Sequence, residues 1–322
     1  MVNEVLLDIR NLKTYFYTTK GVVKAVDNIS VKLNKGEVLG IAGESGCGKS
    51  TLAYSIIRLV PPPGKIVSGE IYFDGKNILK YSDEEFRRKI RWKGISMVFQ
   101  GAMNALNPVY TVGDQIAEVI MLHEGLTKKE AYTRVYKLLA LVGIDPRRAH
   151  SYPHELSGGM KQRVMIAMAL ALNPPLVIAD EPTTALDVVV QAQIMNLLKR
   201  LQRELKISII LITHDLSLIA EIADKVAIMY AGKIVEFGTA EQIYYNPQHP
   251  YTQGLLSSIP RLHGELKKLE WIPGVPPDLI KPPPGCRFAP RCKFRFEKCD
   301  SEPPVIEIEP GHYVACWLHV KS

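Results

Sequence analysis

Gly43-Glu44-Ser45-Gly46-Cys47-Gly48-Lys49-Ser50-Thr51 is the stretch whose reading decides the fold. It follows the apolar run Val38-Leu39-Gly40-Ile41-Ala42, which reads as a buried strand. It precedes Leu52 to Leu59, which reads as a helix. The pattern G-x-x-x-x-G-K-[ST] between a strand and a helix is a phosphate-binding loop. Gly43, Ser45, Gly46, Cys47, Gly48 and Thr51 supply backbone N–H groups that turn inward around phosphate oxygens. The helix start adds the positive end of its dipole. Lys49 is expected at the β- and γ-phosphates, and the Ser50 hydroxyl on Mg²⁺.

A phosphate loop alone suits kinases, GTPases, helicases and transport ATPases. The next signal outward is Leu176-Val177-Ile178-Ala179-Asp180-Glu181, an apolar strand ending in two acids. Asp180 is placed to hold Mg²⁺, and Glu181 to polarise the attacking water as general base. Phosphoryl transfer needs such a base and charge neutralisation, and little else from the protein. Leu156-Ser157-Gly158-Gly159 opens a long apolar helix and makes a second anion site at its N-terminus. Alone, that segment reads equally as a plain N-cap with glycine spacers.

The rest of the chain frames these motifs. Val5–Ile9, Ile29–Leu33 and 71–75 alternate or end in turns, as strands of a partly exposed antiparallel sheet do. The dense apolar runs 95–99, 176–179 and 209–212 suit strands buried on both faces of a parallel sheet. Residues 113–170 carry helical periodicity and read as a helical insertion between central strands.

The order of phosphate loop, Leu-Ser-Gly-Gly, strand-Asp-Glu, Thr184-Ala185-Leu186-Asp187 and then His214 resembles the ATP-binding subunits of ABC transporters over residues 1 to about 260. The resemblance implies an α/β fold of the P-loop NTPase (ABC ATPase) class. It would comprise an antiparallel β subdomain, a helical subdomain and a small cysteine-rich C-terminal extension. It implies a nucleotide-binding domain at 1–259 and an extension at 260–322. It further implies that two such chains, identical or homologous, pack head to tail. Each ATP then lies between one phosphate loop and the other chain's Ser157–Gly159 segment. His214 contacts the γ-phosphate and positions Glu181. Gln100, after the 95–99 strand, senses Mg²⁺ and the γ-phosphate. Asp187 organises the dimer contact, and Phe16 stacks on adenine unless Tyr15 or Tyr17 takes that place.

A narrower resemblance points to the oligopeptide/dipeptide importers. It rests on Asn246-Pro247-Gln248-His249-Pro250-Tyr251-Thr252, Leu255 to Pro260, Leu106-Asn107-Pro108, and Met160 where most ABC proteins have glutamine. Gly101-Ala102, where many relatives have an acid and proline, departs from the pattern. The resemblance implies a motor that drives uptake of di- or oligopeptides through two separate membrane permease subunits, fed by an extracytoplasmic solute-binding protein. Motors for nickel or oligosaccharides share this look. A soluble ABC ATPase acting on nucleic acid or ribosomes is the other alternative. It usually needs two nucleotide domains in one chain or a long coiled-coil insertion, and neither is seen here.

Seven prolines within 260–285 exclude a continuous helix and read as a semi-rigid strap. Beyond it lie Cys286, Cys292, Cys299 and Cys316, spaced by gaps of five, six and sixteen residues. Four thiolates suit zinc or a [4Fe–4S] cluster, and four ordinary thiols in a loop-rich tail remain open. The importer resemblance favours the cluster, with Arg287, Arg291, Lys293, Arg295 and Lys298 offsetting its charge. Composition is average for a globular chain, 47% hydrophobic and 23% charged, with a net charge of +7 spread widely. That spread suits a solvated surface more than a nucleic-acid groove. No apolar run is long enough for a membrane span. With no signal-peptide pattern over Met1–Arg10, the expectation is a peripheral protein on the cytoplasmic face of the membrane.

Overall fold

The structure is a computed structural model that describes residues 4–101, 105–258 and 272–320. The first half of the proline-rich strap, the Ile259-Pro260 end of the importer signature and Ala102 lie outside the described residues. In chain order the first elements are β1 (Val5–Thr18), β2 (Gly21–Asn34), β3 (Val38–Ala42), α1 (Lys49–Ile56), β4 (Gly64–Phe73), β5 (Lys76–Asn77), α2 (Asp83–Lys89) and β6 (Ile95–Val98). Then come α3 (Val112–Glu124), α4 (Lys128–Leu141), α5 (Gly158–Ala169), β7 (Leu176–Asp180), α6 (Val188–Leu205), β8 (Ser208–Ile212) and α7 (Leu216–Ile222). The chain closes with β9 (Lys225–Tyr230), β10 (Lys233–Thr239), α8 (Ala240–Tyr245), α9 (Pro250–Ser257), β11 (Val305–Glu309) and β12 (His312–Ala315).

Two compact units divide the chain. The first holds Met1–Leu6, Asn34–Glu37 and Asn77–Ile212; the second holds Leu7–Leu33, Val38–Lys76 and Thr213–Ser322. In the first unit β6, β7 and β8 are parallel, with Ile95 opposite Leu176 and Leu176 opposite Ser208. Every residue of these strands is buried, as their continuous apolar runs require. The helical insertion is real: α3, α4 and α5 fill residues 112–169. Thr111 caps α3, the Thr127/Glu130 capping box starts α4, and Gly125 at φ 69° ends α3. Helix α6 buries Ile194, Leu197, Leu198 and Leu201, one stripe at helical spacing. Each such side chain contributes roughly 1.5–3 kcal/mol of burial.

In the second unit β3 and β9 are parallel, with Leu39 opposite Lys225. Antiparallel β10, β12 and β11 follow, so their order is β11-β12-β10-β9-β3. A separate sheet places β2, β1 and β4 side by side, with β1 and β4 antiparallel.

Three features differ from the sequence reading. Helix α1 begins at Lys49 rather than Leu52, because Gly48 takes φ 105° and turns the chain directly into it. Strands β1 and β2 run for 14 residues each, well beyond the alternating cores. The cysteine-rich extension carries two strands not expected from its sequence: β12 joins the sheet edge at β10, pairing Val314 with Glu236 and Tyr313 with Phe237, and β11 pairs with β12.

Candidate ATP-binding and hydrolysis site

The phosphate loop lies in the second unit, and its shape depends on two glycines. A Cβ on Gly43 (φ 152°) would stand 2.1 Å from the Met229 carbonyl oxygen. On Gly48 (φ 105°) it would stand 1.9 Å from that of Ala25. Any side chain at either position would push the loop off its neighbouring strands. Gly46 also has positive φ, but space around it is open. Lys49 is buried, and its Nζ donates to the carbonyls of Gly43 (2.7 Å) and Glu44 (3.1 Å). The ammonium therefore lies along the inner curve of the loop. Cys47 is buried, and burial pushes its thiol pKa up. Ser45 is exposed, while Ser50 and Thr51 are half-buried at the start of α1.

Strand β1 meets this region through Thr14, whose hydroxyl shares a 2.8 Å hydrogen bond with that of Ser55 on α1. Phe16 lies two residues on, hence on the same face of the strand. Its ring packs over Gly64, where an added Cβ would come within 2.6 Å. Tyr15 points the other way and donates its hydroxyl to Asp27 at 2.7 Å. Tyr17 is 48% exposed. His214 is exposed in the turn between Thr213 and the N-cap of α7, Asp215.

The acidic half lies in the first unit. Asp180 ends β7 with no exposed surface. Glu181 follows at φ 47°, a left-handed conformation rare outside glycine, and its N–H donates to the Ile212 carbonyl at 2.8 Å. That turn swings the carboxylate to Gln100 and Thr184, which both donate to Oε2 at 2.9 Å. The structure thus joins Gln100 to Glu181. Thr184 was missed by sequence reasoning, although its place three residues after Glu181 carried the signal. Ser157 is the exposed N-cap of α5, its hydroxyl accepting from Met160 N–H at 3.4 Å. A Cβ on Gly159 would come within 2.7 Å of Val190, the residue whose N–H Asp187 caps at 2.9 Å. Ser157, Gly158, Gly159 and Asp187 thus occupy two neighbouring helix starts.

Hard oxygen donors, the Ser50 hydroxyl and Asp180 carboxylate, fit Mg²⁺. The four late cysteines are a different case. Cys299 and Cys316 are buried, Cys286 and Cys292 half-buried. Burial raises the Cys286 thiol pKa, opposed by the N–H groups of Phe288 and Ala289. It likewise raises Cys292, opposed by Phe294 N–H, and lifts Cys316 to about 11, opposed by Leu318 N–H. Neighbouring cysteines add to the rise at Cys286, Cys292 and Cys316. Yet among the described residues no group of three or more His, Cys, Asp or Glu side chains is disposed to hold a metal ion. The described residues thus give the expected [4Fe–4S] or zinc centre no geometric support.

Two family models match the chain, "ABC transporter" over residues 26–184 and "Oligopeptide/dipeptide transporter, C-terminal region" over 235–299. The chain is 52% identical to the dipeptide transport ATP-binding protein DppD of Bacillus subtilis over 319 residues, spanning 98% of this chain and 95% of that protein. It is 50% identical to the oligopeptide transport ATP-binding protein OppD of Haemophilus influenzae, spanning 98% of each. Among solved structures it is similar to a dimeric ATP-binding cassette in a post-hydrolysis state bound to ADP and Pi. That likeness has a TM-score of 0.65 and 30% identity, covering 73% of this chain and 99% of that one.

Proposed function

We propose a mechanism from one premise: this chain belongs to the ABC transporter family, within its oligopeptide/dipeptide group. It is an ATPase, and its role is that of motor subunit in an importer of di- or oligopeptides. The observation that carries the peptide reading is the near-full-length match to peptide-importer subunits at about half identity. Nickel, oligosaccharide, nucleic-acid and ribosome readings have no comparable support.

In this reading Phe16 stacks on adenine. The loop amides of Gly43, Ser45, Gly46, Cys47, Gly48 and Thr51 wrap the phosphates, and Lys49 moves its ammonium from the loop carbonyls onto the β- and γ-phosphate oxygens. Mg²⁺ would be held by Ser50 and Asp180, with Gln100 close by, and would neutralise phosphate charge. Glu181 takes the proton of the attacking water. Gln100 and Thr184 both donate to the same carboxylate oxygen, Oε2, and so orient the carboxylate for that step. His214 donates to the γ-phosphate.

Ser157, Gly158 and Gly159 meet the γ-phosphate bound by a second copy or a paralogue, and Asp187 holds the adjoining helix start. Val188 and Val189, 80% and 67% exposed beside Asp187, favour a protein partner there. Two permease subunits in the membrane and, beyond them, an extracytoplasmic solute-binding protein complete the assembly, with this chain on the cytoplasmic face. Among the described residues no helix is long and apolar enough to cross it. The extension from 260 onward is a module added to the 1–259 ATPase. Cys286, Cys292, Cys299 and Cys316 are its candidate ligands for a [4Fe–4S] cluster, with zinc as the alternative, on the strength of four thiols within one short segment.

The test is ATPase activity of the chain assembled with its permeases in lipid. Peptide-loaded binding protein is expected to stimulate hydrolysis, whereas loading with nickel or an oligosaccharide is not. Stimulation by either of those and not by peptide would replace the solute assignment. Iron and zinc content of anaerobically purified protein decides the cysteine site.

A further inference from the structure

Glu44 is the second residue of the phosphate loop, and its side chain is gripped by a residue 247 positions away. Arg291 donates from Nη1 to Glu44 Oε2 at 2.7 Å and from Nη2 to Oε1 at 2.9 Å, a two-pronged contact. The Arg291 side chain is only 5% exposed. Its remaining donors are also used: Nε reaches the Pro273 carbonyl at 2.8 Å, and Nη1 reaches the Tyr230 hydroxyl at 3.2 Å. The Glu44 N–H donates to the Tyr251 hydroxyl at 2.9 Å, so backbone and side chain of one loop residue are both fixed from the C-terminal side. The Tyr251 ring packs in turn, tilted, against those of Tyr230 (4.5 Å between centroids) and Phe288 (5.4 Å). All these groups belong to the second compact unit.

An anion site with a carboxylate in its wall is at odds with its own ligand. An unpaired Glu44 would repel the polyphosphate that the loop amides attract, and within a few ångströms that repulsion is poorly screened. A buried two-pronged guanidinium removes the charge and fixes the loop's geometry together. We infer that Arg291 of the cysteine-rich extension is a positioning residue for ATP, neutralising Glu44 and holding the phosphate loop in its binding shape, with Tyr251 as the second anchor. The extension is thereby a working part of the nucleotide site. Because Arg291 immediately precedes Cys292, whatever orders that cysteine turn acts on the phosphate loop. The inference rests on the ATPase reading above.

The test is steady-state ATP hydrolysis by the full-length chain with four variants: Arg291→Ala, Arg291→Lys, Glu44→Gln, and Arg291→Ala with Glu44→Gln. Arg291→Ala is expected to raise KM for MgATP roughly tenfold, the usual effect of losing a charge-assisted pair and leaving its partner uncompensated. Glu44→Gln in that background is expected to restore KM to within about threefold of wild type, since the repelling charge is gone. Arg291→Lys keeps the charge without the fork and falls between. A purely structural role would lower Tm and the active fraction, leaving KM unchanged in the folded protein. Wild-type KM in Arg291→Ala, or a raised KM that Glu44→Gln does not relieve, overturns the inference. If the alanine variant does not fold, Arg291→Lys with and without Glu44→Gln is judged by the same two criteria. Wild-type protein that hydrolyses no ATP would instead remove the ATPase reading itself.

Discussion

In the proposed mechanism Glu181 is the base that takes the water's proton, and its setting suits that role. The left-handed turn and two hydrogen bonds to one oxygen fix a carboxylate that would otherwise swing freely. Glu181→Gln keeps the shape and removes the basicity. Turnover is expected to fall about 10²–10⁴-fold with ATP binding preserved, and single-turnover hydrolysis measures it directly; near-normal rates would assign the proton elsewhere. Phe16 is the second residue with a separable role. Tyr15 is committed to Asp27 and faces away from Thr14, so Phe16→Ala should weaken ATP binding by roughly 1–3 kcal/mol by calorimetry. A loss on replacing Tyr17 instead would move the stack along the strand. The residues of the phosphate loop, the strand-end acids and the Leu-Ser-Gly-Gly segment were all legible, because each motif is short and local. The Arg291–Glu44 pair was not. Its members lie at opposite ends of the chain, and nothing local to either marks a partner.

Among elements, the junction of α9 with β10 and β12 shows what the His-Pro-Tyr signature does. His249 caps α9, its Nδ1 accepting from Tyr251 N–H at 3.0 Å. Its own N–H and that of Gln248 donate to Glu236, which also accepts from His312 Nε2 at 2.8 Å. Burial holds His249 down to about 4 from 6.5, so the folded chain keeps it neutral while the unfolded chain protonates it in between. The unfolded state then binds more protons, and stability falls as pH drops from 6.5 to 4. The loss is expected to be roughly 3 kcal/mol for this group. Urea unfolding across that range should show the slope, and His249→Asn, which keeps a capping acceptor, should flatten it. An unchanged slope would exclude His249 as its source. The buried strands and the helical insertion were readable from apolar runs and 3.6-residue periodicity. Strands β11 and β12 were not: they are short, and they gain their place by pairing, β12 with β10 and β11 with β12.

In the whole molecule the phosphate loop and the cysteine-rich extension share one compact unit, while Gln100, Asp180, Glu181 and the Ser157–Gly159 segment share the other. In the proposed mechanism the groups that wrap the phosphates thus belong to one unit, and the base with its partner glutamine to the other. The C-terminal module is tied to the binding part by Arg291 on Glu44 and by Arg287 on Asp27 and the Ala231 carbonyl. The central claim is that hydrolysis at Glu181 drives peptide uptake. Its most direct measurement is accumulation of a labelled oligopeptide in proteoliposomes that hold the permeases, with this chain and MgATP on the motor side and peptide-loaded binding protein on the other. Wild-type chain is predicted to concentrate the peptide only with ATP, and Glu181→Gln to bind ATP yet accumulate none beyond a single cycle. Sustained uptake by Glu181→Gln, or wild-type hydrolysis with no peptide movement, would contradict it.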